Sequence, residues 1–372
     1  MVAFSYHVKS FRSYQSFRQV SRQRAATATR LLFATASTTT TSATDAMKDE
    51  AVSETMKLDS FYKEASFDSP TVWKSREEAS EYVNENIDAV LFDCDGVLYR
   101  TLDPCPGAAE CIESLMNKGK KVLFVTNNAG VNRRELRDKL VKILDLEQLQ
   151  VDQMVSSSYS CARFLTQQVK KGGRIHVIGS SGLKEEIENA GFITSGGPST
   201  EPASMDRQEL EEFDFSKLSP IDAVAVGHDT EFSFRKLCIA NNLLLRNKDA
   251  LFVATNEDSF DLVGADNRHI PGNGCVVKAL EHCSRRKAIN VGKPSATLYQ
   301  LIQEEHNLDP SRTLFVGDRL DTDIKFSVDN SMKSLLVMTG VTTADGMIDL
   351  SEGTEEEPLP TFLTAYTGMI IL

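Results

Sequence analysis

From about residue 86 onward, short apolar runs alternate with longer amphipathic stretches. The runs are IDAVLF (87–92), KVLFVT (121–126), RIHVIG (174–179), IDAVAVG (221–227), ALFVAT (250–255), AINVG (288–292), RTLFVG (312–317) and SLLVM (334–338). Helix-like stretches lie between most of them, at 107–118, 132–145, 183–190, 233–246, 275–286 and 295–306. Strands buried on both faces and spaced by helices predict parallel sheets, hence an α/β fold. Four runs end in DCDG, TNNAG, GKPS and GDRLDTD and those between in GSSG, GHDTE and TNEDS, which suggests two α/β units, the second inserted into the first. Residues 192–219 carry Gly, Pro, Ser and many acids without a clean period, and read as a surface excursion of the insert. Residues 45–80 read as a polar lead-in, helical in part. The stretch SEGTEEEPLP after residue 350 reads as an acidic, loop-like tail.

Composition narrows this picture. The 372 residues suffice for two domains, and 41% hydrophobic with 25% charged residues fits a soluble globular protein. No apolar stretch approaches the roughly 20 residues that span a bilayer. The net charge of −12 is unevenly spread: residues 1–44 hold one Lys, five Arg and no acid, leaving 35 basic and 53 acidic residues in the remainder. So acidic a body argues against nucleic acid or a membrane as partner. An anionic substrate would need local positive charge or a metal. Seven cysteines without a CxxC read as reduced thiols of an intracellular compartment.

The first 44 residues are rich in Arg, Ser and Thr, as organelle transit peptides are. Phe11, Tyr14 and Phe17 recur at about one helical turn beside Arg12 and Arg18, which favours a mitochondrial matrix over a chloroplast. A plain basic tail is the bland alternative.

Several runs end in residues with chemical use. After the first comes DCDG, with Asp93 and Asp95 two positions apart and so on one side of an extended chain. Two adjacent carboxylates repel unless a cation sits between them, and their oxygens suit Mg²⁺. Cys94, between them, points the other way and reads as core. The second run ends in Thr126, Asn127 and Asn128, whose hydroxyl and amides can donate to phosphate oxygens or cap the next helix. Another ends in GKPS, where Lys293 can neutralise a carboxylate and a phosphoryl group together, or be an ordinary surface lysine. GDRLDTD places Asp318 at a strand end, with Asp323 left to cap a helix or brace Lys293.

The order DxDG, strand-end Thr, strand-end Lys, GDxxxxD resembles the haloacid dehalogenase-like phosphohydrolases over about residues 86–345. FDCDGVLY, VTNN, PGNGC, VGKPS and VGDRLDTDI resemble the branch of phosphoglycolate, 4-nitrophenyl phosphate and pyridoxal phosphate phosphatases. That resemblance implies a Rossmann-like core with a parallel sheet and an inserted α/β cap. The expected division is a transit peptide (1–44), lead-in (45–85), core (86–171), cap (172–270), core (271–350) and tail (351–372).

The resemblance also implies roles. Asp93 is the expected nucleophile and Asp95 the acid and base. Thr126, Asn127, Asn128 and Lys293 are expected to bind the phosphoryl group. Mg²⁺ is expected on Asp93, the Asp95 carbonyl and Asp318. The cap segment GHDTEFSFRKL carries Glu231 where the branch commonly has His. Either His228 or Arg235 substitutes, Glu231 points away, or the substrate differs; His228 is the candidate for substrate contact. The expected activity is Mg-dependent hydrolysis of a small phosphate monoester, foremost 2-phosphoglycolate. Pyridoxal phosphate, a broad 4-nitrophenyl phosphate-type activity, and a non-catalytic phosphate-sensing scaffold are the alternatives. A homodimer through the cap is consistent with the resemblance. No GxxxxGK[ST] is present, which excludes a Walker-type NTPase.

Overall fold

The structure is a computed structural model, and it describes residues 42–64, 69–198, 201–263, 268–352 and 358–372. Nearly all of the expected transit segment lies outside the described residues. Among them, no helix is long and apolar enough to cross a membrane.

Strands of the first half are β1 (Thr71–Val72), β2 (Ala89–Phe92), β3 (Tyr99–Arg100), β4 (Asp103–Pro104), β5 (Lys121–Thr126), β6 (Met154–Ser156), β7 (Arg174–Ile178) and β8 (Ile193–Gly196). The second half adds β9 (Ala223–Val226), β10 (Leu251–Ala254), β11 (Phe260–Val263), β12 (Arg268–Pro271), β13 (Ile289–Asn290), β14 (Thr313–Gly317), β15 (Lys333–Val337) and β16 (Phe362–Thr364). A seven-stranded sheet runs β1-β16-β15-β14-β2-β5-β6 and is parallel throughout. A five-stranded sheet, also parallel, runs β13-β10-β9-β7-β8. Two antiparallel hairpins, β3–β4 and β11–β12, complete the set.

The inner strands of both large sheets are buried on both faces, which is why they are apolar without alternation. Val90 and Phe92 face one cluster with Val122 and Phe124, while Ala89 and Leu91 face another with Leu123 and Phe315. In the smaller sheet Val177 and Ala225 face one side, and Val224, Val226 and Phe252 the other.

The lead-in, read as helical in part, holds a 22-residue helix, Ala43–Glu64. Its Ala51, Leu58 and Tyr62 fall on one helical stripe and pack with Leu336 and Leu363 of the core sheet. The tail is not merely a loop: past the acidic stretch, β16 inserts between β1 and β15, and Trp73 stacks on Phe362 at 4.2 Å between ring centroids. Residues 273–290, expected in the core, are built into the smaller unit. The helix Asn273–Ser284 buries Val277 and Leu280 against Val224 and Phe252, and β13 pairs with β10.

Candidate active site

Strand β2 lies centrally in the large sheet, between β14 and β5, and the site forms where these strands end. The backbone N–H of Asp93 donates to the Val316 carbonyl at 2.9 Å, so the chain stays extended through Asp93. Gly96 then turns it away with φ +81°, and a Cβ there would stand 2.6 Å from Asp318 Oδ2. Cys94 is fully buried in the core, as expected.

A cavity of about 330 Å³ opens at this point. Asp93, Asp95, Thr126, Asn127, Asn128, His228, Lys293 and Asp318 all line it, so these residues from four distant segments and the cap meet in one place. Their parts differ, however. Lys293 is 2% exposed, and its ammonium donates to Asp93 Oδ1 (2.5 Å), Asp323 Oδ1 (2.8 Å) and the Val125 carbonyl (3.0 Å). Lys293 follows β13, so it reaches the core from the smaller sheet. Asp323 also accepts from the backbone N–H groups of Asp318 and Arg319, at 3.0 and 3.1 Å. It thus braces both Lys293 and the strand end that carries Asp318.

Asn127 and Asn128 line the cavity with part of their side-chain amides engaged by the protein itself. Asn127 Oδ1 accepts from the Lys293 backbone N–H at 2.8 Å, and its Nδ2 donates to Asp258 at 2.9 Å. This amide is engaged in joining β5 to the Lys293 loop. Asn128 Oδ1 accepts from the Gly130 N–H at 2.7 Å, closing a local turn. Short amide side chains at a strand end satisfied the backbone first. Thr126 keeps its hydroxyl proton for a ligand, since Oγ1 accepts from the Asn128 N–H at 3.1 Å.

In the cap segment, Glu231 is exposed and does not line the cavity. Arg235 is buried and held by the carbonyls of Pro202 and Ser204 and by Glu209. Of the three, His228 alone lines the cavity.

The site carries more acid than base. Burial raises the Asp93 carboxyl well above its usual range; Lys293 opposes that shift, and Asp323 and Asp318 add to it. Asp318 is pushed up to about 7 by burial and by Asp323. Asp95 is open to the cavity, yet the protein packed around it raises its carboxyl by loss of solvation, against the pull of Lys139 and a hydrogen bond from Tyr99 Oη at 3.0 Å. For Lys293, burial lowers the affinity for its proton, but Asp323 and Asp93 overcome this and raise it. Clustered carboxylates pushed toward protonation mark a place for a cation.

The residues fit one. Ligand oxygens of Asp93, Asp318 and Asp323 lie within 4.8 Å of one another. Those of Asp323 already serve Lys293 and two backbone N–H groups. Asp318 Oδ2 accepts from the Val341 N–H at 2.6 Å, whereas its Oδ1 is buried with no hydrogen-bond partner. That orphaned acceptor, with Asp93, gives a hard divalent cation its oxygen ligands. Gly340 was not foreseen from the sequence: a Cβ there would stand 1.9 Å from Asp318 Oδ2.

Such a fold, with a buried carboxylate beside a buried lysine and an acidic cation site at the strand ends, is the setting of an enzyme that handles anionic substrates. Residues 90–193 match the family described as haloacid dehalogenase-like hydrolase, and residues 290–360 match its HAD-hydrolase-like companion. The chain is 38% identical over 270 residues to glycerol-3-phosphate phosphatase of Gallus gallus, covering 72% of this chain and 85% of that one. It is 35% identical over 275 residues to phosphoglycolate phosphatase 2 of Arabidopsis thaliana, covering 74% and 89%. A solved glycerol phosphate phosphatase from Mycobacterium tuberculosis, in complex with magnesium, superposes with a TM-score of 0.62 at 27% identity, covering 78% of each chain. The chain belongs to the haloacid dehalogenase-like hydrolase family and is a phosphatase, a hydrolase of phosphoric monoesters.

Proposed function

We propose that the chain is a Mg²⁺-dependent phosphatase of a small phosphate monoester, with 2-phosphoglycolate as substrate. The observation that carries the chemistry is the 2.5 Å contact between Lys293 Nζ and Asp93 Oδ1 inside a cavity that also holds Asp95, Thr126 and Asp318. A buried ammonium keeps Asp93 ionised and ready to attack despite its raised proton affinity.

Asp93 attacks phosphorus and forms an aspartyl-phosphate as the ester P–O bond breaks. Asp95 gives its proton to the departing alkoxide. The now ionised Asp95 takes a proton from water, whose oxygen attacks the same phosphorus. The bond to Asp93 breaks and inorganic phosphate leaves. Thr126 donates to a phosphoryl oxygen in both steps. Asp93, Asp318 and the Asp95 carbonyl would hold Mg²⁺, which when bound offsets charge on the phosphoryl group.

The cavity volume, about 330 Å³, supports a small leaving group, and the name of the Arabidopsis relative supports phosphoglycolate. A second reading, glycerol 3-phosphate, is favoured by Asp258 and Asp261 on the cavity wall, since carboxylates accept from hydroxyls, and by the name of the Gallus relative. A turnover screen over phosphate esters, using protein that lacks the first 41 residues, separates them. 2-Phosphoglycolate should have the highest kcat/KM; a higher value for glycerol 3-phosphate overturns the assignment of substrate but not that of chemistry. Placement in an organelle matrix and pairing through the cap remain part of the same proposal, supported by the basic first 44 residues and by the resemblance.

A further inference from the structure

The helix Ala43–Glu64 lies outside both family matches, at 90–193 and 290–360, yet it packs behind the cation site. Its Ala51 and Leu58 share one buried cluster with Leu320 and Ile324, which follow Asp318 in the chain, and with Met338, Ala344 and Met347, which flank the loop 339–343. A polar contact joins the same elements. Glu54 Oε2 accepts from the backbone N–H of Ala344 at 2.6 Å, while Glu54 Oε1 pairs with Lys57 at 2.6 Å.

Ala344 is fully buried and opens the helix Ala344–Glu352. The first N–H groups of a helix have no acceptor within it, and a carboxylate placed there also meets the helix dipole favourably. Glu54 thus pins the end of the loop that grips the site. Thr339 Oγ1 donates to the Gly96 carbonyl at 2.6 Å, the Thr342 N–H to the Asp318 carbonyl at 3.1 Å, and the Val341 N–H to Asp318 Oδ2 at 2.6 Å. The last of these bonds occupies Oδ2 and leaves the unpartnered Oδ1 as the oxygen offered to a cation.

We propose that Glu54 is a positioning residue for the cation site: through Ala344 it fixes the loop 339–343, and the loop fixes the Asp318 carboxylate. The inference rests on the reading of Asp318 as a Mg²⁺ ligand given above. A ligand carboxylate already oriented by outer contacts binds metal more tightly than one that must be ordered as the ion arrives.

Calorimetric titration of Mg²⁺ into the full chain tests it in Glu54→Met, Glu54→Gln and Glu54→Asp, with melting temperatures taken without metal. Glu54→Met removes the acceptor and should raise the Mg²⁺ Kd by about three- to tenfold. Glu54→Gln keeps an oxygen within reach of the Ala344 N–H and should recover most of that affinity. The Mg²⁺ concentration for half-maximal turnover of 4-nitrophenyl phosphate should rise in Glu54→Met by the same factor, with a smaller change in kcat at saturating Mg²⁺. If Glu54→Met does not fold, Glu54→Asp, one methylene shorter, should show the same weakening. A lower melting temperature with an unchanged Mg²⁺ Kd overturns the proposal and leaves Glu54 a helix-capping contact. Equal losses of affinity in Glu54→Met and Glu54→Gln also overturn it, because charge and not the bond to Ala344 would then carry the effect. If the unmodified chain binds no Mg²⁺, the reading of the cation site falls first, and the role of Glu54 falls with it.

Discussion

Asp323 holds Lys293 at 2.8 Å while Lys293 holds Asp93 at 2.5 Å, so one buried ammonium serves two carboxylates. All three groups are nearly inaccessible to water. Removing the cation leaves two buried acids facing each other, which costs about 3–5 kcal/mol. Lys293→Met should therefore lower the unfolding free energy in urea by that amount. It should also reduce turnover by roughly 10²–10³-fold, since a fixed charge beside the phosphoryl group is lost. Normal stability in this variant would show that the pair is not compensated as described.

The orphaned Asp318 Oδ1 leads to a metal prediction. Chelation with EDTA should abolish turnover of 4-nitrophenyl phosphate, and excess Mg²⁺ should restore it. Binding only the folded state, the ion should add about 2.7 kcal/mol of stability at a hundred times its Kd. Asp318→Asn should remove both effects, as read by thermal melting with and without Mg²⁺. A melting temperature that responds to Mg²⁺ equally in Asp318→Asn would place the ion elsewhere.

Gly340 supplies a steric test remote in sequence from the DxDG motif. A Cβ at this position would overlap Asp318 Oδ2 at 1.9 Å. Gly340→Ala should displace the Asp318 carboxylate, cost about 1–3 kcal/mol, and weaken Mg²⁺ binding by calorimetry. Unaltered Mg²⁺ affinity would mean the carboxylate is free to shift without consequence.

His176 gives the smaller unit a pH dependence. It is buried in the five-stranded sheet, with Nδ1 3.0 Å from Ser195 Oγ, and burial holds its pKa down to about 4, from 6.5. The folded state therefore keeps it neutral while the unfolded chain takes up the proton. The stability this confers is complete above pH 6.5 and is lost as pH falls toward 4, by about 3 kcal/mol in all. His176→Gln should flatten the stability profile over that window. An equally steep loss in the variant would assign the acid sensitivity to other groups.

Much of this was legible in the chain. Strands buried on both faces announce themselves as apolar runs, and Asp93, Asp95, Thr126, Lys293 and Asp318 stand at the ends of such runs. The polar partnerships within the site were not legible. Asn127 and Asn128 reach the cavity, but only the fold reveals that Asp258 and the Lys293 N–H engage the Asn127 amide and the Gly130 N–H the Asn128 oxygen. The strand β6 is three residues long, and the helix Ser157–Gln168 after it buries Ser157, Ser158 and Ser160. Small hydroxyl residues gave no apolar period to read. The run 288–292 resembled a core strand because pairing partners are invisible in local sequence. The first helix was read only in part, because its apolar positions at 51, 58 and 62 are spread thinly through a polar stretch. Gly340 could have been found only by asking what lies against Asp318.

The covalent step at Asp93 is the centre of the account, and it is open to direct capture. Enzyme mixed with 2-phosphoglycolate and Mg²⁺, quenched in acid during turnover and reduced with borohydride, should contain homoserine at position 93 by peptide mass spectrometry. Homoserine should be absent without substrate, and Asp93→Asn should show neither the adduct nor turnover. Turnover with residue 93 unmodified, or a phosphoryl group captured on a different side chain, would contradict it.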